Sequence, residues 1–186
     1  MYGMVNKAVE QMVVTRFGAE TWDRIREAAG VETEGFISNE GYDDSVTYNL
    51  VGAASKVLNL PAEVVLEEFG KHWVLKTATE GYGELLDAGG KTMPEFLGNL
   101  HHFHARVELI FPALKPPRFH VTDQKADSLI LHYETHRPGL QPFVVGLLKG
   151  LGERFGVEVS AKLLRGRDDG LDHDEFLVSW AEPKPA

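Results

Sequence analysis

Residues 128–155 read SLILHYETHRPGLQPFVVGLLKGLGERF, and the change of pattern inside that stretch decides the fold class. Its first eight residues are strand-like. On an extended chain from 129 to 137, Tyr133, Thr135 and Arg137 alternate, so their side chains point to one side. From 140 onward the period changes. Leu140, Phe143, Val144, Leu147, Leu148, Leu151 and Phe155 recur at three and four residues, one face of an amphipathic helix. A further strand-like run precedes this block at 118–121, and two follow at 157–164 and 175–180 around a turn at 167–170. The C-terminal half is therefore α+β.

Working back toward the N-terminus, the pattern is helical. Ala8, Met12 and Val13 share a helix face, with Val5 a turn earlier. A break at Phe17-Gly18 leads to a second helix around Trp22, Ile25 and Ala29. Residues 35–43 form a loop, Asp43, Asp44 and Ser45 can cap the helix carrying Val46 to Val57, and Pro61 opens the next one. That helix runs through Val65, Phe69 and Trp73, with a short piece to Leu86. After Gly89-Gly90 a single helix is expected over 93–111. The fold class is thus α+β: a helical N-terminal subdomain packed on a C-terminal antiparallel sheet with helices. Residues 1–180 read as one domain and 181–186 as a disordered tail. The cleft between the subdomains is the natural ligand site.

The composition removes whole classes of function. With 19 Lys+Arg against 28 Asp+Glu, the 186 residues carry a net charge of −9. No positive footprint for nucleic acid or a membrane surface is present. The chain has 0 cysteines, which excludes disulfides, zinc–thiolate sites, iron–sulfur clusters and cysteine nucleophiles. Without a membrane span or signal peptide, a cytoplasmic location is expected. Gly89-Gly90-Lys91-Thr92 ends like a phosphate loop, but Leu85 stands where the leading glycine belongs, so it reads as an interhelical turn. The acidic run Asp168, Asp169, Asp172, Asp174 and Glu175 reads as a solvated hairpin, with Gly170 misplaced for a calcium loop. There is no HExxH, no GxSxG and no plausible triad.

Histidine remains. On the 93–111 helix the apolar stripe runs Phe96, Leu100, Phe103, Val107 and Phe111, and His104 falls within it. His101 sits at the stripe's edge and His102 on the polar side with Arg106. His104 is then either a packed core histidine or a neutral imidazole aimed into a dry cavity as a metal ligand. Zinc needs three or four protein ligands, of which His101 and His104 supply two at most. Haem needs one axial histidine, an apolar pocket and donors for two propionates. Tyr133, Thr135 and Arg137 offer such donors, arginine in a bidentate way.

With these residues in place, the chain resembles the H-NOX (haem nitric oxide/oxygen binding) family, which includes the haem domain of the soluble guanylate cyclase beta subunit. The likeness is carried by MYGMVNKAVEQMV, YDDSVTYNLVGAASKVLNL, the FLGNL helix leading to His104, and LILHYETHRPGLQPFVVGLLK. The family's proximal histidine, its proline thirteen residues on and its Tyr-x-Ser-x-Arg strand fall on His104, Pro117 and Tyr133-x-Thr135-x-Arg137. The one departure is Thr135, which keeps the hydroxyl and adds a methyl group.

The resemblance implies a gas sensor, not an enzyme, with one non-covalent haem b per chain. It gives His104 as the proximal iron ligand, Tyr133, Thr135 and Arg137 as propionate donors, and Pro117 as the contact that distorts the macrocycle. Val5, Trp73, Phe143 and Leu147 would form the distal wall. Oxygen-binding relatives have a tyrosine at the position matched by Phe143, and Tyr2, Tyr42, Tyr48 and Tyr82 do not match it. Nitric oxide and carbon monoxide binding without a stable oxygen complex is therefore expected, nitric oxide freeing the helix of His104. The implied partner is a separate histidine kinase, cyclic-di-GMP enzyme or chemotaxis-type receptor. A haem-free helical interaction module and a histidine-ligated zinc protein are the alternatives.

Overall fold

The structure, a computed structural model, describes residues 1–33, 35–110 and 115–182. The N-terminal half contains α1 (Gly3–Phe17), α2 (Ala19–Ala28), α3 (Asp44–Leu58) and α4 (Ala62–His72). A π-helical turn (Trp73–Ala78) leads into α5 (Thr79–Asp87), then α6 (Met93–Gly98) and α7 (Leu100–Ile110). The second half follows as β1 (Arg118–Thr122), β2 (Ser128–Glu134), α8 (Gln141–Phe155), β3 (Glu158–Arg165) and β4 (Asp174–Ala181). The four strands form one antiparallel sheet in the order β1-β2-β4-β3. No helix among the described residues is long and apolar enough to cross a membrane.

The helix ends follow local chemistry. Asp43 N-caps α3, its carboxylate accepting from the Ser45 amide at 2.8 Å. Pro61 stands at the N-cap of α4, and Thr92 caps α6 within the Gly-Gly-Lys-Thr turn. That segment is the interhelical connection its spacing suggests.

Two hydrophobic cores result. Val9, Val13, Ile25, Leu50 and Phe69 fill the one enclosed by α1–α4. In the other, Leu129, Leu131, Val144, Leu148, Phe176 and Val178 bury the face of the sheet against α8. Trp73 packs against both cores. The halves are joined where α4 crosses α8 backbone to backbone. A Cβ at Gly70 would lie 2.2 Å from the Phe143 carbonyl oxygen, and one at Gly146 would lie 1.9 Å from that of Glu67. Only glycine permits an approach that close.

Several expectations are corrected. The single 93–111 helix is two, parted at Asn99, whose side-chain amide donates to the Gly89 carbonyl at 3.0 Å. Phe111 lies outside the described residues. The stretch after His72 winds as a π-helix, with the Thr79 hydroxyl donating to the Val74 carbonyl at 2.8 Å. The acidic hairpin is not simply solvated, because Asp174 and Glu175 are 1% and 7% exposed. Ala181, expected in the tail, closes β4, while the tail residues 183–186 lie outside the described residues.

Candidate functional site

Where the two cores meet there is a cavity of about 230 Å³ with a mainly apolar wall. Every residue that sequence reasoning assigned to the haem site lines it. His104 comes from α7, Pro117 from the segment entering β1, and Tyr133 from β2; Thr135 and Arg137 follow that strand. Val5 comes from α1, Trp73 from the π turn, and Phe143 and Leu147 from α8. The π turn and the close α4–α8 crossing explain how helices from both cores reach one space. The first re-aims Trp73 and Ala78 into the wall. The second sets Phe143 against Phe69, ring centroids 5.1 Å apart.

His104 is the unusual group in this wall. Burial lowers its pKa to about 4, so the ring is neutral at physiological pH. Its Nδ1 is buried and has no hydrogen-bond partner among the described residues. The imidazole lies in an aromatic row, 5.5 Å from the Phe119 ring, which in turn stands 5.1 Å from Tyr133. A half-buried histidine whose buried ring nitrogen is unmet is costly as mere packing. It suits a metal presented within the cavity. The zinc pair is not assembled: His101 is exposed, its ring 3.8 Å from that of His102. Among the described residues, no three-ligand group of His, Asp or Glu includes His104.

The polar end of the cavity is built from donors. Burial pushes the Tyr133 phenol up to about 12, so it stays an O–H. Thr135 Oγ1 accepts from the Arg137 amide at 3.2 Å. The Arg137 guanidinium donates through Nε to Asp44 Oδ2 at 2.8 Å, and through Nη1 to the Lys115 carbonyl at 3.1 Å. Burial works to raise the Asp44 pKa, but hydrogen bonds from the Met1 ammonium and from Arg137 hold it below the usual range. Arg137 therefore stands at the rim already oriented by a carboxylate. A phenol, a hydroxyl and a guanidinium beside an apolar cavity, with a free imidazole in its wall, fit a flat apolar metallo-group bearing carboxylates.

Sequence reasoning missed Asp44 as the partner of Arg137, 93 positions away. It also set aside Tyr2, Tyr48 and Tyr82, all of which line the cavity. Tyr48 donates to the Pro138 carbonyl at 2.9 Å. Tyr82 sits at a non-helical point within α5. No periodicity marks either position, since Tyr48 lies on a capped helix and Tyr82 at a kink.

Comparisons with known proteins agree with this geometry. A family model described as Haem-NO-binding matches residues 2–163. Soluble guanylate cyclase gcy-32 of Caenorhabditis elegans is 30% identical over 177 residues, covering 93% of this chain and 26% of that protein. Gcy-35 of the same organism is 29% identical over 192 residues, covering 98% and 28%. The chain thus spans about a quarter of the length of the curated relatives it matches. Among solved structures, the Fe(II) unliganded H-NOX protein from K. algicida is 26% identical with a TM-score of 0.86, covering 100% of both chains. An H-NOX protein from S. oneidensis in the Fe(II)NO ligation state shares the fold, with a TM-score of 0.87, 20% identity and coverage of 98% and 100%.

Proposed function

The chain belongs to the haem-NO-binding family, and from that premise we propose that it is a gas sensor holding one non-covalent haem b between its two cores. It takes nitric oxide and carbon monoxide and forms no stable oxygen complex. When bound, ferrous haem would supply an iron able to take up a diatomic gas. The observation that carries this reading is the neutral, half-buried His104 in the cavity wall, whose buried ring Nδ1 lacks a partner among the described residues.

The chain's residues then divide the work. His104, from α7, would hold the iron through its imidazole. Tyr133, Thr135 and Arg137 would hold the propionates, Arg137 sharing its guanidinium between Asp44 and a carboxylate of the ligand. Pro117, in the cavity wall, would contact the macrocycle. Val5, Trp73, Phe143 and Leu147 enclose the gas. Phe143 brings no hydrogen-bond donor, and Val5 and Leu147 bring none either, so a partly anionic oxygen complex gains no stabilisation from them. Of these four, only Trp73 carries a donor, its indole N–H, and its ring stands edge-on to Phe69 with centroids 6.2 Å apart.

The fold also suggests how binding is reported. His101, His102, Ala105, Arg106, Glu108 and Leu109 of α7 are exposed, and the helix is held through buried Leu100 at its start and the half-buried Phe103, His104 and Val107. An element with so few buried contacts belongs to the low-stability end of a structure. Releasing His104 therefore loosens α7, a ligand-biased change of state with no catalysed reaction. The signal passes to a separate histidine kinase, cyclic-di-GMP enzyme or chemotaxis-type receptor in the cytoplasm. The net charge of −9 favours a basic surface on that partner.

Absorption spectra of the reduced, haem-supplied protein under argon, air, carbon monoxide and nitric oxide test this. Expected are a five-coordinate ferrous haem, no change in air, complexes with both other gases, and loss of the histidine with nitric oxide. A stable oxygen complex overturns the distal assignment. Failure to take up haem overturns the sensor reading and returns the interaction module or zinc protein to the front.

A further inference from the structure

On the face of β2 turned away from Tyr133, the structure assembles a group of side chains that the haem cavity does not use. His132 and Glu175 are directly paired across β2 and β4, and His173 enters from the turn just before β4. His132 Nδ1 lies 3.0 Å from His173 Nε2, and Glu175 Oε1 lies 3.7 Å and 3.5 Å from those nitrogens. We propose that His132 Nδ1, His173 Nε2 and Glu175 Oε1 form a divalent-metal site of the zinc class, separate from the haem.

The spacing is that of a coordination shell. Zinc holds imidazole nitrogen and carboxylate oxygen at about 2.0–2.1 Å in a tetrahedron, which puts neighbouring ligand atoms about 3.3 Å apart. The three observed separations bracket that edge. Two imidazoles and one carboxylate suit zinc, with a fourth position left for water.

Each ligand is also held from behind. His173 Nδ1 donates to Asp172 Oδ1 at 2.6 Å, leaving the Nε2 lone pair free for a metal. Thr122 Oγ1 stands 2.8 Å from His132 Nε2, where it accepts from that nitrogen once Nδ1 is committed. Arg165 donates to Glu175 Oε2 through Nε at 3.0 Å and Nη2 at 2.8 Å, fixing the carboxylate and leaving Oε1 for the ion. Such outer partners set ligand orientation and tautomer in metal sites. His120 stacks on His132, ring centroids 4.1 Å apart and planes within 9°, and shields one side. The group is half-buried to buried, with side chains 12%, 22% and 10% exposed for His132, His173 and Glu175. A metal here would pin the turn before β4 onto the strand whose other face presents Tyr133 to the cavity.

The test is zinc titration of the metal-stripped full chain by calorimetry, with metal analysis after dialysis. One zinc per chain beyond any haem iron is expected. Uptake is lost in His173→Ala and Glu175→Gln, weakened 10- to 100-fold in Asp172→Asn, and unchanged in the surface control His102→Ala. His173 is half-buried in the turn before β4, outside the strands, and the melting curve of His173→Ala without zinc checks that the fold is kept. Zinc at a hundredfold over Kd raises the melting temperature of the native chain by about 5–10 °C, and that of His173→Ala not at all. No zinc uptake by the native chain overturns the proposal, as does uptake undiminished in His173→Ala. The site takes nothing from the cavity, so zinc uptake in His104→Gly is expected whether or not the haem reading holds.

Discussion

Replacing Gly146 by alanine tests the crossing that shapes the cavity. The added methyl meets the Glu67 carbonyl oxygen at 1.9 Å and its carbon at 2.8 Å. An ordinary carbon–oxygen contact is about 3.3 Å, so α4 and α8 must part locally by roughly 1.4 Å. A gap of even 0.5–1 Å forfeits about a quarter to a half of the dispersion between facing atoms. Overpacking costs about 1–3 kcal/mol. Here the obstructing atoms are backbone, which cannot rotate aside, so the upper end applies, about 3 kcal/mol. For a chain of this size that lowers the melting temperature by about 6–12 °C. Thermal unfolding followed by circular dichroism reads the shift. Gly52→Ala is the control: it lies within α3, and a Cβ there meets nothing within 4 Å. It should hold or raise stability, by up to about 1 kcal/mol. Because Phe143 and Leu147 flank residue 146 on α8, Gly146→Ala should also alter gas-binding rates. A Gly146→Ala protein melting within about 2 °C of the native one would refute the backbone-to-backbone contact and the packing argument built on it.

Three further outcomes are expected. In the haem-free chain the His104 pKa is about 4 against an ordinary 6.5, so between those values the unfolded state binds the extra proton. Stability conferred by the neutral ring is complete above pH 6.5 and falls by about 3 kcal/mol as pH drops to 4; urea unfolding across that range should show the loss, and His104→Leu should lack it. Asp44→Ala removes the carboxylate holding Arg137 and should cost about 1–2 kcal/mol at neutral pH. Haem uptake should nevertheless survive, because Arg137 is freed for a propionate; its loss would mean that Asp44 itself positions the ligand. Arg137→Leu should speed haem loss to apomyoglobin at least tenfold, whereas Arg118→Leu, at an exposed ion pair with Glu134, should leave the rate unchanged.

Much of the architecture was legible because it is periodic. The alternation from Leu129 to Tyr133 and the helical stripe from Leu140 to Phe155 each record one buried face, and burial follows them. His104 was legible for the same reason, as a polar ring within an apolar stripe. What escaped has no period. The parting at Asn99 depends on a side-chain bond to Gly89 ten residues earlier. The π turn after His72 is accompanied by a side-chain bond from Thr79 to the Val74 carbonyl, which no spacing records. Asp44 read as a helix cap, and only the folded chain turns its carboxylate toward Arg137. His132, His173 and Glu175 escaped as a group, since His132 and His173 are 41 positions apart and are united only by the β2–β4 pairing and the turn before β4. Asp174 and Glu175 misled in the opposite direction. A run of acids suggests solvent, but Asp174 accepts from the Arg167 amide and Glu175 pairs with Arg165.

The most direct test of the central claim compares the native chain with His104→Gly, both reduced and supplied with haem, by absorption and resonance Raman spectroscopy. The account predicts a histidine–iron signature in the native protein and its loss in His104→Gly. Added imidazole, filling the vacated volume, should restore it, while Tyr133, Thr135 and Arg137 still hold the macrocycle. A His104→Gly spectrum identical to the native one, or a native chain that takes up no haem, would contradict the account.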